Sequence, residues 1–195
     1  MISFLALGDS YTIGEQVPLS DSFPYQLVQL KRKDEKAVIA PEIIAKTGWT
    51  TDELLAAMEQ THFLPPYDII TLLIGVNNQY RERSITEFKE QLEQLIQKAR
   101  LLAHEKTKML MLSIPDWGIT PFAKERDAEK IAQEIDAFNE VCKAIAEKFS
   151  IPFLDITTSQ RADGKEPSYI AEDGLHPSGK EYAKWAKVVF NNLIT

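Results

Sequence analysis

The sequence has a single cysteine, Cys142, among its 195 residues. One cysteine excludes an intramolecular disulfide and provides no cysteine pair with the spacing of a metal site. Histidine is also scarce, since only His62, His104 and His176 are present. We therefore expect no metal, no cofactor and no redox chemistry, and any imidazole base must be one of these three residues.

Positive charge is in the minority. The chain has 22 lysines and arginines against 29 aspartates and glutamates, which gives a formal net charge of −7. A chain of this charge repels a phosphate backbone, so nucleic acid is not an expected partner. The hydrophobic fraction of 44% and the charged fraction of 26% are ordinary for a globular protein and exclude the disordered and fibrous classes.

Long apolar runs, linkers and repeats are missing as well. No stretch is long and apolar enough to span a membrane, and the first residues lack the basic region, apolar run and cleavage site of a signal peptide. We expect a cytoplasmic protein, or a secreted or periplasmic one if a signal peptide has been removed. Residues 1–195 are predicted to form one domain. No helix carries a sustained heptad, so the oligomeric state stays open, with a monomer as the expectation.

Segments typical of strands alternate with segments of helical periodicity. The predicted strands are 2–7, 37–45, 68–74, 108–114 and 152–156, and the predicted helices are about 22–32, 50–60, 84–104, 131–149 and from 178 onward. This alternation favours right-handed crossovers and a parallel sheet covered by helices on both faces. The sequence therefore predicts a three-layer α/β/α sandwich whose five strands have the flavodoxin-like order 2-1-3-4-5.

The loops after the predicted strands contain polar residues and glycines that packing does not require. They are residues 8–10, 47–49, 75–78 and 115–117, together with 173–177 before the last helix. Ligands of such sheets bind beyond the carboxyl ends of the strands, so we expect these loops to meet at one edge. Ser10 follows an apolar strand and a glycine, which predicts a hydroxyl raised on a tight turn and makes it a candidate nucleophile.

A serine nucleophile needs a base, and an imidazole base needs an acid that fixes its orientation. Only His176 has an acid three residues away, Asp173, with a glycine between them that permits a tight turn. His62 and His104 are expected to be a surface residue and a helix cap. The alternative for the 173–176 segment is a capping turn without catalytic role.

Three groups are suitable donors for an oxyanion: the side-chain amide of Asn77 and the backbone N–H groups of Ser10 and Gly48. Each motif taken singly also fits an ordinary loop, because Gly, Asn, Asp and Ser are common in turns. The occurrence of all of them at one predicted sheet edge favours a catalytic site.

Four blocks carry a resemblance to a known family: Leu7-Gly8-Asp9-Ser10-Tyr11-Thr12, Gly48-Trp49-Thr50-Thr51, Gly75-Val76-Asn77-Asn78 and Asp173-Gly174-Leu175-His176-Pro177. With these blocks, which span nearly the whole chain, the sequence resembles the GDSL, or SGNH, family of serine esterases and lipases. The resemblance implies the SGNH hydrolase fold, Ser10 as nucleophile, His176 as base and Asp173 as its orienting acid. It also implies that Ser10, Gly48 and Asn77 form the oxyanion hole.

Two positions depart from the blocks of that family. Asn78 stands where the family usually has aspartate, which leaves its supporting interactions open, and Tyr11 stands where the family name has leucine. Neither change removes a catalytic group.

The predicted function is hydrolysis of carboxylic esters or thioesters through an acyl-enzyme, of the lipase or lysophospholipase type or the carbohydrate acetylesterase type. Its partner is a small-molecule, lipid or sugar ester. One alternative is an acyltransferase that uses the same site. The other is a non-catalytic flavodoxin-like domain that binds a phosphate, nucleotide or protein, although the chain lacks the glycine-rich phosphate motifs.

Aromatic side chains in the predicted edge loops are candidates for a substrate pocket. They are Trp49, Tyr80, Trp117 and Phe122. Such residues line apolar binding sites, but they pack loops onto a core equally well, so both interpretations stay open at this point.

Overall fold

Five parallel strands form one sheet in the order β2-β1-β3-β4-β5. The structure, a computed structural model, describes residues 1–34 and 36–193. The strands are β1 (Phe4–Gly8), β2 (Glu42–Ala45), β3 (Tyr67–Leu73), β4 (Ala103–Leu112) and β5 (Phe153–Leu154). The predicted sheet and its flavodoxin-like strand order are confirmed.

Eight α-helices lie in the described part of the chain. They are α1 (Ser10–Ile13), α2 (Phe23–Lys33), α3 (Thr51–Gln60), α4 (Val76–Tyr80), α5 (Ile85–Arg100), α6 (Ala128–Lys148), α7 (Thr157–Asp163) and α8 (Gly179–Leu193). The longer helices follow the predicted periodicity. The short helices α1, α4 and α7 fall in segments for which the sequence pattern predicts no helix.

The sheet is the middle of three layers. Helices α2 and α8 pack on each other, and α3, α5 and α6 form a second packed group. Strand β3 lies at the centre of the sheet, and Ile70 and Leu72 are almost completely buried there. An apolar strand that is covered on both sides reads as a continuous apolar run, which is why 68–74 was recognisable in the sequence. In helix α8, Tyr182 and Trp185 are fully buried.

Two predicted boundaries in the middle of the chain are wrong. Helix α5 ends at Arg100, and β4 begins at Ala103, so His104 starts a strand and does not cap a helix. Nε2 of His104 lies 3.1 Å from a carboxylate oxygen of Asp68 on β3, and its backbone N–H donates to the hydroxyl of Thr107 at 2.7 Å. These polar contacts hold the first residues of β4 in the sheet. The segment has no apolar pattern, so the sequence does not predict a strand there.

The outer strands are shorter than predicted. β2 covers 42–45 of the predicted 37–45, and Val38 forms only an isolated bridge with Ile2. Pro41 lacks an N–H and cannot donate to a strand ladder, so the regular pairing begins after it. β5 has two residues of the predicted five.

No helix within residues 1–34 and 36–193 is both long enough and apolar enough to cross a membrane.

Gly8 is the residue that allows β1 to turn into α1. A Cβ at this position would lie 2.1 Å from the hydroxyl oxygen of Thr12 and 2.3 Å from the backbone carbonyl oxygen of Leu73 on β3. Both distances are well inside van der Waals contact, and the carbonyl belongs to the sheet. Only glycine therefore fits at the end of β1, two residues before Ser10, where the strand lies against β3.

We expect Gly8→Ala to lower the free energy of unfolding by about 2 kcal/mol or more, because the added methyl overpacks a site bounded by backbone. Urea unfolding followed by circular dichroism measures the change. Ala56→Ser on the exposed side of α3 is the control and is expected to cost less than about 0.5 kcal/mol. A Gly8→Ala variant as stable as this control would contradict the packing argument.

Candidate active site

Ser10 is the first residue of α1, directly beyond the carboxyl end of β1. The preceding Asp9 is the N-cap, and its carboxylate accepts a hydrogen bond from the backbone N–H of Tyr11 at 3.0 Å. The short helix ends at Gly14, whose φ of 76° is the left-handed conformation that favours glycine. Cap and glycine together fix a single tight turn that holds Ser10 at the sheet edge.

Asp173 and His176 form a close pair in the loop before α8. Nδ1 of His176 lies 2.5 Å from Oδ2 of Asp173, and Oδ1 of Asp173 accepts hydrogen bonds from the backbone N–H groups of Leu175 and His176, both at 3.0 Å. Gly174 has a φ of 71°, which allows the loop to turn back so tightly. With Nδ1 held by the carboxylate, Nε2 is the ring nitrogen that is free to act on another group.

The pKa of Asp173 is lowered. Partial burial by itself raises the pKa, but the hydrogen bond from the His176 ring and those from the two backbone N–H groups outweigh it. The carboxylate therefore stays ionised at neutral pH, as required of a group that orients an imidazole and stabilises its positive charge.

Gly48 and Asn77 reach the same edge from the loops after β2 and β3. Gly48 has a φ of 85°, and the amide nitrogen of Asn77 donates to the backbone carbonyl of Trp49 at 3.0 Å. A primary amide has two hydrogens, so one N–H of Asn77 remains for a ligand. The guanidinium of Arg81 donates to the carbonyl oxygen of Gly48 at 2.5 Å and thereby anchors this loop.

These groups surround one cavity of about 180 Å³, which we call the Ser10 cavity. Among the predicted site residues it brings together Ser10, Gly48, Asn77, His176, Tyr80, Trp117 and Phe122. Asp173 lies behind His176 and reaches the cavity through it. The remaining lining residues, which the sequence interpretation did not include, are Tyr11, Thr47, Val76 and Leu175.

One predicted pocket residue is placed elsewhere. Trp49 is partly buried, packs against the hydrophobic core, and is not among the residues that line the Ser10 cavity. Its contribution to the site is its backbone carbonyl, which accepts from Asn77. The two other histidines also lie apart: His62 is exposed, and His104 sits at the amino end of β4, on the opposite edge of the sheet.

Asn78, the departure from the family pattern, supports the site with neutral hydrogen bonds. It is 1% exposed; its Oδ1 accepts from the backbone N–H of Thr51 at 3.1 Å, and its Nδ2 donates to the Thr51 hydroxyl at 2.8 Å. The Thr51 hydroxyl in turn donates to Gln91 at 2.5 Å. The amide thus ties α4 to the first turn of α3, which follows the Gly48 loop.

The described residues contain no group of three or more His, Cys, Asp or Glu side chains arranged to hold a metal ion.

Comparisons with known proteins agree with this architecture. Residues 6–184 match the model of the GDSL-like lipase/acylhydrolase family. No curated protein sequence matches the chain significantly.

Several solved structures share the fold. TesA superposes with a TM-score of 0.77 at 19% identity, over 98% of this chain and 97% of that one. A lipolytic protein of the G-D-S-L family from Veillonella parvula DSM 2008 gives 0.76 at 18% identity, over 98% and 97%. The acetylxylan esterase Axe2 from Geobacillus stearothermophilus gives 0.76 at 19% identity, over 98% and 94%. At such identities the likeness establishes the fold.

Asp9 gives the nucleophile turn a pH-dependent stability. Burial raises its pKa from the usual 3.8 to about 7, and the hydrogen bond from Tyr11 offsets only part of this. Between these two pH values the folded state holds a proton that the unfolded chain has lost, so stability falls as the pH rises through this window. The difference between the two pKa values corresponds to roughly 4 kcal/mol at most.

We expect Asp9→Asn to be more stable than the unmodified protein above pH 7 and equal to it below pH 4, because asparagine keeps an acceptor for the Tyr11 N–H without ionising. Urea unfolding at a series of pH values measures this difference. Asp127→Asn, the same exchange at the exposed N-cap of α6, is the control for a changed cap. Parallel pH profiles for Asp9→Asn and the unmodified protein would disprove the assignment.

Proposed function

Because the chain belongs to the GDSL-like lipase/acylhydrolase family and is an ester hydrolase, we propose that it cleaves short-chain acyl esters with Ser10 as nucleophile. His176 acts as general base and Asp173 orients it. The proposal rests on one observation above all: the close His176–Asp173 pair borders the same cavity as the Ser10 side chain. A serine, an imidazole and an ionised carboxylate in this relation form the set required for acyl transfer.

The reaction proceeds in two halves. Nε2 of His176 takes the proton of the Ser10 hydroxyl as its oxygen attacks the ester carbonyl, and the imidazolium then protonates the departing alcohol. Water, deprotonated by the same imidazole, attacks the acyl-enzyme and releases the acid. The Asp173 carboxylate stabilises the imidazolium in both halves.

The negative oxygen of each tetrahedral intermediate is held by the backbone N–H groups of Ser10 and Gly48 and by the Asn77 amide. As the first residue of α1, Ser10 has an N–H with no acceptor inside its own helix. Gly48 permits close approach of its backbone. Removal of one such donor in other enzymes costs about 2.7–4 kcal/mol of barrier.

The size and lining of the Ser10 cavity support a short acyl group. Sites for drug-sized ligands measure about 300–1,000 Å³, whereas this cavity measures about 180 Å³ and is bounded by Tyr80, Trp117 and Phe122. A volume of this size suits an acetyl to butyryl group better than the chain of a long lipid. Because the cavity favours a short acyl group, and an acetylxylan esterase is among the proteins that share this fold, we propose the carbohydrate acetylesterase type over the lipase type.

Ser10→Ala is expected to reduce hydrolysis of p-nitrophenyl acetate to background, because the alanine variant has no nucleophile. A fluorophosphonate probe followed by peptide mass spectrometry should label Ser10 and no other serine in the unmodified protein. Ser20→Ala, at an exposed serine outside the site, is the matched control. Activity retained by Ser10→Ala would exclude the assignment.

Asp173→Asn is expected to lower kcat by a factor approaching about 10⁴, the loss known for this exchange in a serine protease triad. The new amide donates toward Nδ1 and so favours the tautomer in which Nε2 carries the proton. Steady-state kinetics measure kcat, and circular dichroism checks the fold. Glu172→Gln, at the exposed neighbouring acid, should keep full activity; a similar loss in both variants would point to a general effect of charge.

A further inference from the structure

Trp117 lines two cavities. Its buried indole packs edge-on against Tyr80, with ring centroids 5.2 Å apart, and against Phe122, at 6.0 Å. Trp117 and Tyr80 line both the Ser10 cavity and a second cavity of about 320 Å³, which we call the α6 cavity. The further residues of the α6 cavity are Gln79, Glu82, Arg126, Asp127, Lys130, Ile131 and Glu134.

Gln79 holds this indole from behind. The indole N–H of Trp117 donates to Oε1 of Gln79 at 2.7 Å, and Nε2 of Gln79 donates to a carboxylate oxygen of Glu134 at 2.7 Å. The chemistry fixes the direction of both bonds, because an indole only donates and an ionised carboxylate only accepts. Gln79 is 5% exposed, and Glu134, on α6, connects the chain of bonds to Lys130 at 3.6 Å.

The position of Gln79 in the sequence links it to the reaction. It lies two residues after Asn77 on α4, a helix of only five residues. Asn77 faces the Ser10 cavity, Asn78 is bonded to α3, and Gln79 is bonded to Trp117 and α6. The same short helix that presents the Asn77 amide therefore also holds the Trp117 ring in the lining of the Ser10 cavity.

We propose that Gln79 is a positioning residue that sets the acyl-chain limit of the enzyme by holding Trp117 as the wall between the Ser10 cavity and the α6 cavity. This inference rests on the proposed function. Without the Gln79 acceptor, the indole N–H is buried without a hydrogen-bond partner, which costs free energy. The ring then gains by moving to a position where its N–H is paired. Displacement of the ring opens the Ser10 cavity toward the α6 cavity and admits longer acyl chains.

The test compares kcat/KM for p-nitrophenyl acetate, butyrate and hexanoate. In Gln79→Met, which keeps the side-chain length and loses both hydrogen bonds, the hexanoate-to-acetate ratio is expected to rise at least about tenfold, mainly through a lower KM for hexanoate. Trp117→Phe should raise the ratio similarly. Adding Gln79→Met to Trp117→Phe should have no further effect, because each change already removes the same hydrogen bond between the indole and residue 79. Gln133→Met, at an exposed position of α6, is the matched control and should leave the ratio unchanged.

A second pair of variants serves if Gln79→Met fails to fold. Gln79→Glu sets a second carboxylate against Glu134, and the repulsion should displace residue 79 from the indole N–H and raise the ratio. In Gln79→Glu with Glu134→Gln, the amide at position 134 donates to the carboxylate at position 79, which can again accept from the indole, so the ratio should return to that of the unmodified enzyme. An unchanged ratio in the single variants, or independent effects of Gln79→Met and Trp117→Phe, overturns the inference while Ser10-dependent hydrolysis persists. Absence of that hydrolysis in the unmodified protein refutes the proposed function itself.

Discussion

The pairing of β1 with β3 is the interaction on which the candidate site depends. Gly8 lies opposite Leu73 in the register, and the two strands end there together. Ser10 and Asn77 each follow their strand by only a few residues, so their separation is fixed by the ladder and not by a long loop. Because both strands are buried, a shift of register would turn apolar side chains toward the wrong layer, and the sheet thus protects the geometry of the site.

The other candidate residues lie in loops from more distant parts of the chain, and local hydrogen bonds hold these loops beside β1 and β3. The loop that carries Asp173 and His176 is closed by the bridge between Ile170 and Pro177 and by the hydrogen bond from Ala171 N–H to the carbonyl of His176 at 2.8 Å. The Gly48 loop is anchored by Arg81. Each loop contributes one or two of the candidate groups, and its own hydrogen bonds position them. Groups that are held in place in this way suit the electrostatic stabilisation of a transition state.

The sequence predicts a structural feature well where a local requirement restricts the residue types that can stand at a position. The apolar run of β3 and the spacing from Asp173 to His176 each reflect a local physical requirement, and the structure contains the corresponding strand and hydrogen bond. It was uninformative where the determinant is a partner far away in the chain. The polar start of β4 is held by a contact with Asp68, and the buried Gln79 is held by Trp117 and Glu134. Because these partners are far away in the sequence, no local pattern predicts either feature. The direction of the Trp49 side chain is likewise decided by tertiary packing.

The hydrogen-bond chain from Trp117 through Gln79 ends on Glu134, whose side chain is 38% exposed on a different helix. Surface positions accept substitutions that cores reject, because little packing is lost there. A substitution at Glu134 therefore removes the acceptor of the Gln79 amide without touching Ser10, His176 or Asn77. The outermost member of the hydrogen-bond chain that supports the Trp117 indole is thus also the member that loses the least packing when it is substituted.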